Sequence, residues 1–353
     1  MKLDRSSGIL LHPTSLPGPF GIGDIGPQAR RWIDFLAGTG CRAWQVLPLG
    51  PTGFTDSPYQ CFSSFAGNPL LIHMPGAHGT FPAHTVDFAR VIPHKQALLR
   101  QAMGAFVADD RYRAFVGAQQ EWLEDYALFM ALKRAHDGKP WTEWERGAAR
   151  RDPNALEEWR ARLASDVEYH RREQYLFFVQ FRALKRACAA RGIRLMGDLP
   201  IYVAHDSADV WSHPTLFKLD ERGHPTVQAG VPPDYFSATG QLWGNPIYDW
   251  DALRAQGYEW WIRRMRAAFQ QFDLVRIDHF RGFEAYWEVP GADTTAANGR
   301  WVQGPGAALF TAIARVLGPL PIVAENLGLI TPAVEALRAQ FGFPGMSILQ
   351  FAF

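Results

Sequence analysis

Six short apolar runs, separated by helical patterns, constrain the fold of this chain more than any other feature. They are GILLH (8–12), AWQVLP (43–48), IRLMGDLPIYV (193–203), DLVRID (273–278), PIVAE (321–325) and MSILQF (346–351). None alternates cleanly between apolar and polar residues, as expected of parallel strands covered on both faces. Between them, Ala29, Trp32, Ile33 and Leu36 recur at helical spacing, and 176–190, 258–269 and 307–317 read as further helices. Strands alternating with helices imply a parallel α/β sheet, and this number of them points to a TIM-type (β/α)8 barrel rather than an open sheet.

Residues 73–175 break the alternation. The stretch is charged and helical, as in WLEDYALFMALKRA (122–135), and reads as an insertion subdomain after the second strand. Residues 1–72 then hold the first barrel strands and loops, and 176–353 hold strands three to six. Trp122, Trp141, Trp144 and Trp159 are expected in the core of the insertion, because large aromatics are usually buried. The segment AGVPPDYFSATGQLWGNPIYDW (229–250) is rich in Gly and Pro, which disfavours regular structure. It also carries Tyr235, Phe236 and Trp243, so it reads as a long functional loop. The glycines of PGPFGIGDIG (17–26) lack the Lys-Ser/Thr ending of a phosphate loop and read as a tight βα connection.

Composition excludes several function classes. Lys+Arg is 36 and Asp+Glu 35, so there is no electrostatic case for nucleic acid or an anionic membrane. The three cysteines, Cys41, Cys61 and Cys188, show no Cys-x-x-Cys spacing, which argues against a disulfide framework or structural zinc. A reducing cytoplasm is the expected setting. No signal peptide is legible at the start, and no apolar run reaches the roughly 18 residues of a membrane span.

Three carboxylates fall at the C-terminal parts of expected strands: Asp198, Asp278 and Glu325. That end of a barrel is where active sites are built, from several strands at once. In FDLVRIDHFRG (272–282), Arg276 and Asp278 share one strand face. A guanidinium beside a carboxylate at a buried strand end is either a structural ion pair or a working one. Two chemistries use such a cluster: glycosyl transfer by paired carboxylates, and divalent-metal binding in an enolase-like barrel. Arg276 would compete with a metal, but it opposes protonation of Asp278 and so suits a nucleophile. Glu325 follows the apolar Pro321-Ile322-Val323-Ala324, and partial burial there would raise its pKa, as a general acid requires. His279 reads as a hydrogen-bonded neighbour of the acid.

These residues lie within motifs that match a family. RSSGILLHPTSLPGPFGIGDIG (5–26), WQVLPLGPTG (44–53), DSPYQ (56–60), SSFAGNP (63–69), GDLPIYVAHDSADVW (197–211), AGVPPDYFSATGQLWGNPIYDW (229–250), DLVRIDHFRGFEAYWEVP (273–290), AENLGLITPAVEALR (324–338) and FGFPGMSILQFAF (341–353) run in family order. The chain resembles the 4-α-glucanotransferases of the amylomaltase (disproportionating enzyme) type, relatives of the α-amylase clan. The resemblance implies a cofactor-free, metal-free, retaining transfer of α-1,4-glucan segments to the 4-hydroxyl of an acceptor glucan. Maltooligosaccharides and α-glucans are the implied partners. It also implies Asp278 as nucleophile, Glu325 as acid/base, and Ser57, Tyr59, Asp198, Arg276 and His279 as sugar-binding or orienting residues. Gln241 and Trp243 are implied in a loop that folds over bound glucan. A retaining mechanism predicts roughly 5–5.5 Å between the two principal carboxyl groups.

The sequence departs from the family pattern in places. Asn326 stands where Asp usually follows the catalytic Glu, Phe54 and Cys61 replace the common Tyr and Ser, and the stretch at 73–80 is short. The chain ends at Phe353, before the family's last two strands and its Thr-His-Asp-Asn motif with a third carboxylate. The expectation is therefore a truncated barrel with little activity of its own, and the competing reading is an inactive glucan-binding fragment.

Overall fold

The structure, a computed structural model, describes residues 4–74, 76, 79–235 and 237–351. It divides into two compact units. One comprises Ser6–Leu195 with Asp206–Ser212; the other comprises chiefly Met196–His205 with the chain from His213 onward.

In the first unit, β1 (Gly8–Leu10) leads through a Pro13–Ser15 turn to α1 (Pro27–Gly38) and then β2 (Ala43–Gln45). Helix α1 starts at Pro27, whose missing N–H is no loss at a helix start. It buries Ala29, Ile33 and Leu36 on the expected stripe. Strands β1 and β2 pair in parallel, with Ile9 opposite Trp44. A Cβ on Gly8 would lie 2.7 Å from the Ala43 side chain, so the close approach of these strands needs glycine.

The rest of this unit is helical: α2 (Phe88–Gly104), α3 (Asp110–Ala135), α4 (Arg146–Ala149), α5 (Pro153–Arg162) and α6 (Ala164–Ala190). Asp side chains cap the N-termini of α2, α3 and α5. The long helices α3 and α6 pack together, burying Leu123, Phe129 and Leu132 on one and Phe177, Phe181 and Leu184 on the other. Trp141 and Trp144 are in the core as expected. Trp122 and Trp159 are only half-buried; Trp122 stacks on Phe65, and the Trp159 ring has Arg162 over it, so both cover the core from its rim.

After α6 comes β3 (Arg194–Pro200), and α7 (Ala208–Ser212) belongs to the first unit. The second unit contains β4 (Val227–Val231), β5 (Gln241–Pro246), α8 (Trp250–Ala255), α9 (Glu259–Gln271), β6 (Leu274–Asp278), β7 (Ala285–Pro290), β8 (Arg300–Gln303), α10 (Gly306–Leu317), β9 (Ile322–Ala324) and α11 (Pro332–Gln340). Strand β6 lies parallel between β3 and β9. A separate antiparallel sheet runs in the order β5-β4-β7-β8.

Two expectations are corrected, the strand at 346–351 and the irregular loop at 229–250. The run MSILQF does not form a strand: Ala324 N–H donates to Pro344 O (2.8 Å), but Met346 N–H goes to the Asn326 side chain and Leu349–Phe351 curl into a 3-10 turn. Side-chain capture of a backbone donor thus replaces a ladder bond. Among the described residues the parallel strands do not form a closed barrel; what is present is an α/β fold with parallel strand pairs in each unit. The segment 229–250 is also more regular than expected, since most of it forms the β4–β5 hairpin. Gly230 and Gly244 are strand residues here, and a Cβ on Gly230 would lie 2.4 Å from the Gln241 carbonyl oxygen across the pair. Phe236, in the connection of this hairpin, lies outside the described residues, as do positions 75, 77 and 78 of the stretch 73–80.

Gly230→Ala should therefore force the hairpin strands apart at a cost of about 1–3 kcal/mol. Thermal unfolding should shift several degrees downward, whereas an unchanged midpoint would contradict the close approach.

Candidate active site

Register places the acidic residues on one face. Asp198 of β3 is opposite Arg276 of β6, and Pro200 is opposite Asp278. Arg276 is opposite Val323 of β9, and Ile277 is opposite Ala324. Side chains alternate along a strand, so 198, 276, 278, 323 and 325 point the same way. Glu325 follows directly after β9, and its N–H donates to Ile277 O (3.0 Å), which continues the ladder to the level of Asp278.

The Arg276 guanidinium links the two aspartates. Its Nη1 lies 2.7 Å from Asp198 Oδ1 and 2.9 Å from Asp278 Oδ1. The Asp198 side chain is fully buried (0% exposed), whereas that of Asp278 keeps 29% of its surface open. Asp198 is therefore placed to hold Arg276, and Asp278 is the more open of the two acids. Burial opposes the charge on Arg276, but the Asp198 and Asp278 carboxylates outweigh it and hold the guanidinium above its ordinary value. Burial pushes the Asp278 carboxyl upward, with Arg276 pulling it back.

Glu325 is in a different electrostatic position. Burial, and then the nearby charge of Asp278, raise its carboxyl to about 7, while the His279 N–H and Arg276 oppose the shift. The His279 N–H donates to Glu325 Oε2 at 2.5 Å. This contact depends on a strained residue: His279 sits in the left-handed region (φ 52°), a conformation that costs a non-glycine residue about 1–3 kcal/mol. The strain turns the chain sharply from β6 into a 3-10 turn, Phe280–Phe283, and aims the amide at Glu325. The His279 ring is lowered to about 4, by burial and then by the charge of Arg281, so it is neutral at pH 7.

The hairpin supplies an aromatic wall. The Trp243 ring meets the His279 ring edge-on, with centroids 4.9 Å apart at 90°. Trp243 Nε1 donates to Gln241 Oε1 (3.3 Å), joining the two residues expected over the glucan. Tyr202, which the sequence reading did not single out, lies behind Trp243 at 6.4 Å. Its place four residues after Asp198, in the apolar run that carries the acid, was the available signal. Asn245 was also missed; its side-chain amide donates to Val203 O (2.8 Å) and ties β5 to the chain leaving β3.

Ser57 and Tyr59 belong to the first unit. Tyr59 N–H donates to Ser57 Oγ (3.3 Å), and Gly53 N–H donates to Gln60 O (2.8 Å), closing a tight loop. Thr55 and Asp56 in this loop both have positive φ, 69° and 54°. Asn326, the residue after Glu325, turns away from the acid cluster: its amide donates to Glu335 (2.6 Å) and accepts from Met346 N–H (2.7 Å).

A family model described as 4-alpha-glucanotransferase matches residues 11–353. The chain belongs to this family. A 4-alpha-glucanotransferase of Thermus thermophilus is 53% identical over 372 residues, covering 100% of this chain and 74% of that protein. One from Synechocystis is 52% identical, over 99% of this chain and 73% of the relative. Among solved structures, the amylomaltase from Streptococcus agalactiae in complex with acarbose superposes with a TM-score of 0.95 at 42% identity, covering 99% of this chain and 74% of that one. The amylomaltase from Corynebacterium glutamicum, at 20% identity and a TM-score of 0.76, shows the same fold. The chain is thus an enzyme of the glucan-transferring type, and the reading as an inactive glucan-binding fragment is not favoured. Among the described residues, no helix is long and apolar enough to cross a membrane.

Arg276→Met should remove the guanidinium partner of the buried Asp198 carboxylate and destabilise the protein by about 3–5 kcal/mol. Denaturant unfolding measures this directly, and a loss below 1 kcal/mol would show that Arg276 does not hold the cluster together.

Proposed function

We propose that this glucanotransferase works by double displacement, with Asp278 as nucleophile and Glu325 as acid/base. The observation that carries the reading is the asymmetry of the pair. One carboxyl is ion-paired to Arg276, and the other is raised to about 7 beside it. Two acids that share a site but differ in their partners, one held by a guanidinium and one beside a second carboxylate, divide the acid and base roles. The proton is assigned to Glu325 and the negative charge to Asp278, whose ionised form Arg276 favours against burial.

In the first step, Glu325 gives its proton to the glycosidic oxygen while an Asp278 oxygen attacks the anomeric carbon. The bond to the leaving glucan breaks, and a covalent β-glycosyl-enzyme forms. In the second step, Glu325, now ionised, takes the proton of an acceptor 4-hydroxyl, whose oxygen displaces Asp278. Two inversions restore the α-configuration. The substrates are maltooligosaccharides and α-1,4-glucans. Asp198 and Arg276 orient the nucleophile, while His279 presents a neutral ring to the sugar. Tyr59 and Ser57 are assigned to the donor sugar by family resemblance.

Transfer instead of hydrolysis requires that water be excluded while an acceptor hydroxyl is held in place. Trp243 and Gln241, on the exposed edge strand β5, are the residues we assign to cover the glucan. A flat indole suits the apolar face of a glucose ring. The parallel strands on which the acids stand fit a TIM-type barrel, in which sites lie at the C-terminal strand ends.

Glu325→Gln should lower kcat for maltotriose disproportionation by about 10²–10⁴-fold. With an α-glycosyl fluoride donor, whose leaving group needs no proton, the first step, read as the initial burst of fluoride, should be largely spared; a burst slowed as much as maltotriose turnover would remove Glu325 from the acid role. In the unaltered enzyme, activity should fall as pH rises through about 7, because the raised Glu325 carboxyl then loses the proton it must donate. A profile flat to pH 9 would contradict this assignment.

A further inference from the structure

Arg264 on α9 is a buried guanidinium (3% exposed) that is not paired with an acid. Among the described residues, no carboxylate lies within ion-pair distance of it. Its charge is met instead by oxygen acceptors and aromatic faces. Nη2 donates to Pro200 O at 2.6 Å, and Nη1 donates to Ile201 O at 3.1 Å and to the Tyr248 hydroxyl at 3.2 Å. The Tyr248 hydroxyl in turn donates to Ile201 O at 2.9 Å. The guanidinium carbon stands 4.9 Å from the Trp261 ring centre and 5.5 Å from that of Trp260. Burying a charge without a counter-charge is costly, and Nε is left without a hydrogen-bond partner, so the two Nη groups must answer a need at this place.

The gripped carbonyls lie at a decisive point. Pro200 ends β3, two residues beyond Asp198, and is the register partner of Asp278. The next carbonyls are also held by side chains: Ile201 O by Tyr248, and Val203 O by Asn245 of the strand that carries Trp243. The backbone at 200–203 therefore joins the acid-bearing strand to the hairpin.

We infer that Arg264 is a positioning residue for the transfer reaction, fixing the end of β3 so that Asp198 holds Arg276, and Arg276 holds Asp278, in attacking geometry. A planar fork meets two adjacent carbonyls and a hydroxyl at once, which the point charge of a lysine does not reproduce. Arg264 and Tyr248 are both buried, out of reach of a bound sugar, so binding should be little affected while the reacting atoms are displaced. A shift of about 1 Å in such a constellation costs on the order of 100-fold in rate.

The inference rests on the reading of Asp278 as nucleophile. Its test is Arg264→Lys, which keeps the charge and loses the fork, with Tyr248→Phe as a milder variant that keeps the guanidinium. Maltotriose disproportionation is measured per folded molecule, with thermal midpoints recorded alongside. For Arg264→Lys, kcat should fall about 10–100-fold with KM changed less than about threefold; Tyr248→Phe should show a smaller fall in kcat of the same kind. Should Arg264→Lys fail to fold, Tyr248→Phe decides. A lowered midpoint with unaltered kcat in the folded fraction would make Arg264 a structural residue only and overturn the inference. Absence of transfer by the unaltered chain would overturn both this inference and the proposed function; transfer by the unaltered chain with unaltered variants would overturn the inference alone.

Discussion

One guanidinium shared by two carboxylates is the interaction on which the rest of the site depends. Arg276 Nη1 bonds Asp198 and Asp278 together, one fully buried and one partly open. A buried carboxylate is costly unless a counter-charge and hydrogen bonds meet it. Asp198 therefore pins the arginine from the adjacent strand, and Arg276 orients Asp278, the proposed nucleophile. The arrangement needs a register that sets residue 198 opposite 276, and a slip of one position would turn every side chain to the other face.

Around this pair, the strand ends are held by contacts that do not belong to the ladder. Arg264, Tyr248 and Asn245 occupy the carbonyls of 200, 201 and 203. His279, in a left-handed conformation, turns its amide to Glu325 and its ring to Trp243. Strain and buried charge collect where geometry must be fixed before substrate arrives. The raised Glu325 carboxyl follows from the same enclosure: burial and a neighbouring acid together keep its proton in place.

Much of this was legible in the sequence because it depends on period and position. The alternation of strands placed Arg276 and Asp278 on one face, and apolar runs located β1, β2, β3, β6 and β9. The run 346–351 misled because a short apolar stretch is ambiguous and its direction is set by Asn326, twenty residues away. The hairpin at 227–246 was obscured by its own glycines, which read as loop residues but are required where Gly230 meets Gln241. Arg264 gave no local signal. Its role depends on carbonyls more than sixty residues away, and no spacing rule connects α9 to the end of β3.

The most direct measurement is the identity of the residue that carries sugar between the two steps. A Glu325→Gln protein incubated with an α-glycosyl fluoride, without acceptor, should accumulate the glycosyl-enzyme, because the group that activates the acceptor or water is missing. Peptide mass spectrometry should then find the sugar on the segment containing Asp278, and the label should vanish when Asp278→Asn is added. A label on any other residue, or release of fluoride with inversion and no labelled peptide, would contradict the account.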